Sequence, residues 1–154
     1  MDEYAGTAGV MRAVHVTVVA SDLERSLRYY CEGLGFRELL RMEMGQEVAN
    51  VGRIEGEVRY TSALIARDGL VLQIASWPSP GVTAAPGVKP LNQCGLTHIG
   101  IIVADVDKAI AELVKLGGTV IAESRTQLEG ADVVMTLDPD GTRIEIERVD
   151  NLPI

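Results

Sequence analysis

Hydrophobic residues recur with two different spacings along this chain, and the same succession of spacings occurs twice. A β-branched apolar run at 14–19 and another at 99–103 each have the character of a strand. Each run is followed by apolar residues three and four positions apart, which is the spacing of a helix with one buried face. The predicted helical stripes are Leu23, Leu27, Tyr30, Cys31 and Leu34 in the first half, and Val106, Ile110, Leu113 and Leu116 in the second.

The two stretches form an internal repeat with an offset of 83 residues. Residues 14–35 align with 97–118, so that His15 falls on His98, Asp22 on Asp105 and Gly35 on Gly118. A polar cap begins each helix: the pattern predicts a capping box of Ser21 and Glu24 in the first half and a single cap, Asp105, in the second. Glycines at the helix ends complete both signals. The chain therefore reads as a duplicated unit.

Three further strand-like stretches follow each predicted helix, at 37–44, 58–66 and 70–76 and again at 119–123, 132–137 and 143–148. Turn signals at 67–69 (Arg-Asp-Gly) and 138–141 (Asp-Pro-Asp-Gly) separate the last two strands of each half. The fold class is thus α+β, with two tandem βαβββ modules. One helix covers only one face of a four-stranded sheet, so we expect the two open faces to share a half-barrel cavity.

These patterns place the domain boundaries. We expect an N-terminal tail at 1–11, a single domain at 12–149 and a C-terminal tail at 150–154. Within the domain, module 1 spans 12–77 and module 2 spans 95–149. The connecting loop at 78–94 is rich in proline, which disfavours both helix and strand there.

Composition narrows the classes of function. The 14 Lys and Arg against 22 Asp and Glu give a net charge of −8, which disfavours binding to nucleic acid or to anionic membranes. No apolar run approaches the length of a membrane span, and the acidic N-terminus lacks the features of a signal peptide. The two cysteines form no CxxC motif and no disulfide framework, which fits a reducing cytoplasm. We therefore expect a soluble, single-domain protein of the cytoplasm.

Candidate chemistry centres on the histidines. The chain has only two, His15 and His98, and both occupy the same position of the repeat. Two imidazoles on one cavity wall are suitable ligands for a divalent metal. In the last strand of the second half, Glu145 lies at the centre of an apolar run, where a carboxylate is costly unless it is paired or bound to a metal. Gln73 is its counterpart in the first half.

The repeated βαβββ pattern, with His15, Gln73, His98 and Glu145 on first and last strands, resembles the vicinal oxygen chelate superfamily. The resemblance covers roughly residues 12–149. It implies that these four side chains bind one divalent metal ion, whether Fe, Mn, Co, Ni, Mg or Zn. It also implies a homodimer and a small-molecule substrate with vicinal oxygens or a carbonyl group.

A His-Gln-His-Glu set is similar to that of glyoxalase I and methylmalonyl-CoA epimerase. The resemblance thus implies an isomerase or lyase that moves a proton next to a metal-bound carbonyl through an enolate. An Fe(II)-dependent extradiol-type dioxygenase is an alternative, although Gln127 and Met135 stand where that class has a His and a Tyr. A small-molecule binding or resistance protein without turnover is the other alternative.

Other side chains are candidates for catalysis and for substrate binding. Glu145 is the first candidate for the base, and Glu55 and Tyr60 are further ones. Met135 belongs to the predicted apolar wall of the pocket. Guanidinium groups could anchor a carboxylate or phosphate of the substrate, and the candidates for this role are Arg53, Arg59 and Arg125.

Overall fold

Two four-stranded mixed sheets, each covered on one face by a helix, make up the described part of the protein. The structure is a computed structural model, and it describes residues 7–10, 12–83, 87 and 90–150. The first half consists of β1 (Val16–Val19), α1 (Leu23–Leu27), β2 (Arg37–Met44), α2 (Ala49–Gly52), β3 (Arg59–Arg67) and β4 (Leu70–Ser79). The second consists of β5 (Ile99–Ile102), α3 (Val106–Lys115), β6 (Thr119–Leu128), β7 (Ala131–Leu137) and β8 (Arg143–Val149).

The two sheets have the same topology. Their strand orders are β1-β4-β3-β2 and β5-β8-β7-β6, and in each sheet the first strand is parallel to the last while the other neighbours are antiparallel. This arrangement confirms the predicted α+β class and the duplicated unit. The predicted tails at 1–11 and 150–154 lie for the most part outside the described residues. Among the described residues, no helix is both long enough and apolar enough to cross a membrane.

Two strands are longer than their sequence patterns indicated. β4 continues through Pro78 to Ser79, which is possible because β1 pairs only with 72–75 and leaves the later part of β4 without a neighbour on that side. β6 continues to Leu128 beyond an irregularity between Ile121 and Thr126. The hydroxyl of Ser124 donates to the Ile121 carbonyl there and accepts from the Met135 amide, so a polar side chain bridges the irregular stretch.

The first helix begins differently from the prediction. The capping box of Ser21 and Glu24 is wrong: the side chain of Asp22 accepts from the Arg25 amide and is the cap, while Ser21 binds Asp140 of the second half. After α1, the chain continues as a wider π-helical turn, Arg28–Gly33, which carries the buried Tyr29 and Tyr30. The helix of the second half, α3, begins after its cap Asp105, as predicted.

One continuous hydrophobic core joins the two halves. Its first-half members include Val18, Ile65 and Ile74 on the sheet and Leu27 and Tyr30 on the helical segment; its second-half members include Val106, Leu113, Val134, Ile144 and Ile146. Each sheet therefore turns one face toward this core. The side chains that alternate with the core residues lie on the opposite face, which we call the open face of each sheet.

A polar network closes the junction at the turn before β8. Asp140 accepts hydrogen bonds from the amide and hydroxyl of Ser21, at 3.1 and 2.5 Å, and from the Arg25 guanidinium at 2.9 Å. Burial raises the pKa of Asp140, but the bonds from Ser21 and Arg25 outweigh it, so that the pKa lies below its ordinary value. In the same turn, burial raises the pKa of Asp138, which accepts a hydrogen bond from the Tyr30 hydroxyl at 2.9 Å.

Candidate functional site

An imidazole and a carboxylate meet on the open face of the second sheet. Strand alternation buries Ile144 and Ile146 in the core and turns Glu145 to the other face. His98 immediately precedes β5, which is paired with β8. Its Nε2 lies 3.2 Å from Oε2 of Glu145, and both side chains are partly shielded, at 30% and 24% exposed. The sequence thus predicted two neighbours from stretches 47 residues apart.

Gly100 leaves space beside this pair. It lies directly opposite Glu145 in the parallel pairing of β5 with β8. A β-carbon built on Gly100 would lie 3.8 Å from Oε2 of Glu145 and 3.9 Å from Oε1 of Glu147. Both carboxylates therefore reach over a position that has no side chain.

Thr97, which the repeat pattern did not single out, contacts the other ring nitrogen of His98. Its Oγ1 lies 2.9 Å from Nδ1. The guanidinium of Arg143 donates to the Thr97 carbonyl at 3.4 Å. The available signal was the difference between the two copies of the repeat, since Val14 stands before His15 where Thr97 stands before His98.

The first sheet places Gln73 in an equivalent position on its own open face. The Gln73 carbonyl oxygen accepts from the Thr17 hydroxyl at 3.0 Å, and its NH₂ group donates to the Ser62 hydroxyl at 3.2 Å. These bonds fix which end of the amide faces β1. An amide oxygen has a second lone pair, so Gln73 can still accept from a donor or bind a cation.

His15 is exposed, just before β1, and among the described residues it has no hydrogen-bond or ion-pair partner. It does not join His98 and Glu145: within the described ranges, no three His, Cys, Asp or Glu side chains are close enough together to hold a metal ion. The chain thus carries its candidate metal ligands in two separate groups. We call His15 and Gln73 the first half-set, and His98 and Glu145 the second half-set. Imidazole and carboxylate fit two ligands of a divalent cation, and the four-ligand set stays a prediction.

A cavity of about 450 Å³ lies beside the second half-set, between β1 and β5. His98, Thr97 and Thr142 contribute polar groups to it, whereas most of the wall is apolar. The remaining lining residues are Val16, Thr17, Val18, Val19, Leu70, Leu72, Leu96, Ile99 and Gly100. An apolar cavity with a few polar groups at one side is the usual form of a small-molecule site.

The further catalytic candidates of the first half lie around α2. Tyr60 is buried on β3 and packs edge to face against Trp77, with ring centroids 4.7 Å apart. Glu55 is exposed in the segment between α2 and β3. Arg53 ends α2 in a left-handed backbone conformation, and Arg59 begins β3; both are exposed.

The two remaining substrate-binding candidates lie on the second sheet. Met135 is buried on β7 directly opposite Glu145, so it adjoins the imidazole–carboxylate pair. Arg125 on β6 forms ion pairs with Asp107 at 2.6 Å and Asp132 at 2.7 Å. Its guanidinium therefore ties the edge strand to α3 and β7, and a role in binding substrate would require it to leave these partners.

The fold has counterparts among known proteins. A family profile described as the Glyoxalase/Bleomycin resistance protein/Dioxygenase superfamily matches residues 12–146. The chain belongs to this superfamily. This match confirms the resemblance inferred from the repeat.

Individual relatives are distant. The chain is 28% identical over 141 residues to a lactoylglutathione lyase from Neisseria meningitidis serogroup B, with 88% of each chain covered. It is 27% identical over 135 residues to the uncharacterized protein YwkD from Bacillus subtilis, covering 86% of this chain and 92% of that one. A glyoxalase family protein from Bacillus cereus has the same fold, with a TM-score of 0.76 at 17% identity over 92% of this chain and 96% of that chain.

Proposed function

We propose that the protein is a divalent-metal-dependent enzyme that moves a proton next to a carbonyl group, as an isomerase or lyase of the glyoxalase type. The observation that carries this proposal is the contact of His98 with Glu145 beside an apolar cavity. The pair offers one neutral nitrogen and one charged oxygen to a cation, without a thiolate that would favour a structural zinc site. The lyases among the relatives support the same reaction class.

We infer that a second copy of the chain completes the site. His15 and Gln73 in the first half correspond to His98 and Glu145 in the second, but among the described residues one chain does not assemble the two half-sets. The strands that follow the histidines, β1 and β5, keep apolar side chains exposed: Val16 at 37% and Val19 at 49%, which also line the cavity, and Ile102 at 42%. A two-fold dimer that buries these strands would present the first half-set of each chain to the second half-set of its partner.

The proposal gives each candidate residue a role. His15, Gln73, His98 and Glu145 would hold the metal, which supplies a positive charge that polarises the carbonyl group. Glu145 supplies the carboxylate of the His98–Glu145 pair. It is therefore our first candidate for the base that takes a proton from the carbon next to the carbonyl group and returns it. Tyr60 and Glu55 are further candidates on the first half.

Substrate recognition would combine the apolar wall with a cation. Met135 adjoins Glu145 and limits the room for the group carried by the reacting carbon. Arg53 and Arg59 are exposed, and among the described residues their side chains have no acidic partner. They could anchor a carboxylate of a small substrate, and Arg125 could do so only by giving up Asp107 or Asp132.

Metal analysis of the purified protein tests the ligand set. We expect a bound divalent metal in the wild type and loss of most of it in His98→Ala and Glu145→Gln. Glu112→Gln is the matched control, because Glu112 is exposed on α3 and, within the described part of the chain, pairs only with Lys115. Unchanged metal content in both site variants would show that the ligand assignment is wrong.

The reaction class needs a separate assay. We expect formation of lactoylglutathione from methylglyoxal and glutathione, or deuterium uptake from solvent next to the carbonyl of a related substrate. Either activity should be lost in Glu145→Gln and kept in Glu112→Gln. Oxygen consumption with a catechol would instead favour the dioxygenase alternative. Binding of such compounds without turnover would favour a binding protein.

A further inference from the structure

Both ring nitrogens of His98 have a partner. Nδ1 lies 2.9 Å from the Thr97 hydroxyl, and Nε2 lies 3.2 Å from the Glu145 carboxylate. Contacts on both sides of a planar ring fix its rotation as well as its direction. Thr97 is itself held, since Arg143 on β8 donates to its carbonyl.

A hydroxyl suits Nδ1 because it can either donate or accept a hydrogen bond. While Nε2–H donates to Glu145, a neutral ring accepts at Nδ1 from the Thr97 hydroxyl. When Nε2 instead offers its lone pair to a cation, the ring proton lies on Nδ1, and the Thr97 oxygen accepts it. The ring can therefore change between these two tautomers without moving.

The first copy of the repeat lacks this arrangement. Val14 precedes His15 and has no polar group, and no hydrogen-bond partner of the His15 ring is found among the described residues. The two histidines are thus unequal within one chain, although they occupy the same position of the repeat. Of the two rings, His98 is the one that the described residues hold in a defined orientation.

We propose that Thr97 is a positioning residue that keeps Nδ1 of His98 hydrogen-bonded in either tautomer and thereby holds its Nε2 toward the bound cation. The part of this proposal that concerns the cation rests on the proposed function. A ligand histidine whose second nitrogen has lost its hydrogen-bond partner binds metal about 10 to 100 times more weakly. Thr97→Val keeps the size of the side chain and removes that partner.

The first experiment uses the metal-free protein. Nitrogen-15 spectra of the imidazoles contain only two ring systems, because the chain has two histidines, and His15→Ala assigns them. We expect Thr97→Val to shift the Nδ1 signal of His98, because that nitrogen loses its hydrogen-bond partner, whereas Thr97→Ser restores the wild-type signals. Val14→Thr is the reciprocal control and should leave His98 unchanged. Wild-type His98 signals in Thr97→Val would overturn the proposal.

The second experiment is a titration with Zn²⁺. We expect Thr97→Val to bind it at least about tenfold more weakly than the wild type, with an unchanged thermal unfolding midpoint of the metal-free protein, and Thr97→Ser to recover the affinity. Equal affinity in Thr97→Val and wild type would overturn the role toward the cation. If the wild type binds no metal, the proposed function fails, and the metal-free spectra decide the role of Thr97 by themselves.

Discussion

We expect one carboxylate, that of Asp140, to contribute strongly to the stability of the junction between the two halves. Asp140, only 17% exposed at its side chain, accepts three hydrogen bonds of 3.1 Å or less from Ser21 and Arg25. Asp140→Asn keeps the shape of the side chain and removes its charge. The NH₂ group of the substituted side chain would also face a donor on at least one side. The variant therefore weakens the contact without opening a cavity.

The size of the effect follows from these bonds. Hydrogen bonds to charged groups contribute about 1.5–3 kcal/mol each and neutral ones about 0.5–1.5 kcal/mol. The loss for three bonds is offset in part because an amide is less costly to bury than a carboxylate. We expect the free energy of unfolding to fall by about 2 kcal/mol. For a chain of this length, that lowers the midpoint temperature of thermal unfolding by about 4–8 °C.

Thermal unfolding followed by circular dichroism at neutral pH measures this change. Asp68→Asn is the matched control, because Asp68 lies in the corresponding turn of the first half, is 85% exposed at its side chain and, among the residues that the structure describes, pairs only with the adjacent Arg67. A surface change of this kind alters stability by less than about 0.5 kcal/mol. If the two variants unfold at the same temperature, the Asp140 contacts do not stabilise the junction as argued.

The same carboxylate gives a pH dependence with a defined sign. The pKa of Asp140 is lower in the folded protein than in the unfolded chain. The contribution of Asp140 to the free energy of unfolding is therefore complete at a pH above its unfolded pKa of about 3.9. This contribution is lost as the pH falls through the lower pKa of the folded state. The difference in midpoint between wild type and Asp140→Asn should shrink over that range, and a difference that grows on acidification would contradict the sign.

Two further variants test the packing of the junction. In Gly118→Ala, the added β-carbon would lie 2.8 Å from Cε2 of Tyr29 and 3.0 Å from the Leu113 carbonyl oxygen. We expect a loss of about 1–3 kcal/mol in urea unfolding, and an unchanged midpoint would show that the backbone relaxes freely. Tyr30→Phe removes the hydroxyl that donates to buried Asp138. We expect a loss of about 1–3 kcal/mol and a further rise in the pKa of Asp138, measured by carboxyl NMR titration; a lower pKa would refute the role of that bond.

The parts of the fold that depend on local spacing could be predicted from the sequence. Strand and helix periodicity indicated both βαβββ units, and Asp105 was recognisable as a cap from its immediate neighbours. Ser21 was misassigned because its partner, Asp140, is 119 residues away. The extension of β6 was missed because Ser124 pairs across an irregularity that has no apolar alternation.

The same distinction applies to the candidate site: contacts set by strand pairing within one half could be predicted, and contacts set by packing between the halves could not. The contact of His98 with Glu145 follows from strand alternation and from the parallel pairing of the first and last strands of a unit. Whether His15 approaches that pair depends on how two sheets are placed by long-range core packing, which a pattern within one strand does not encode. Thr97 required a comparison of the two copies at a single position.

The continuous core also bears on the independence of the two halves. Tyr30 and Leu113 come from different halves but belong to the same buried cluster. Either half alone would expose to water the apolar side chains that the other half now covers, which costs free energy in proportion to the exposed area. We therefore expect neither half to be stable as a separate fragment, so the smallest autonomous unit is the complete pair.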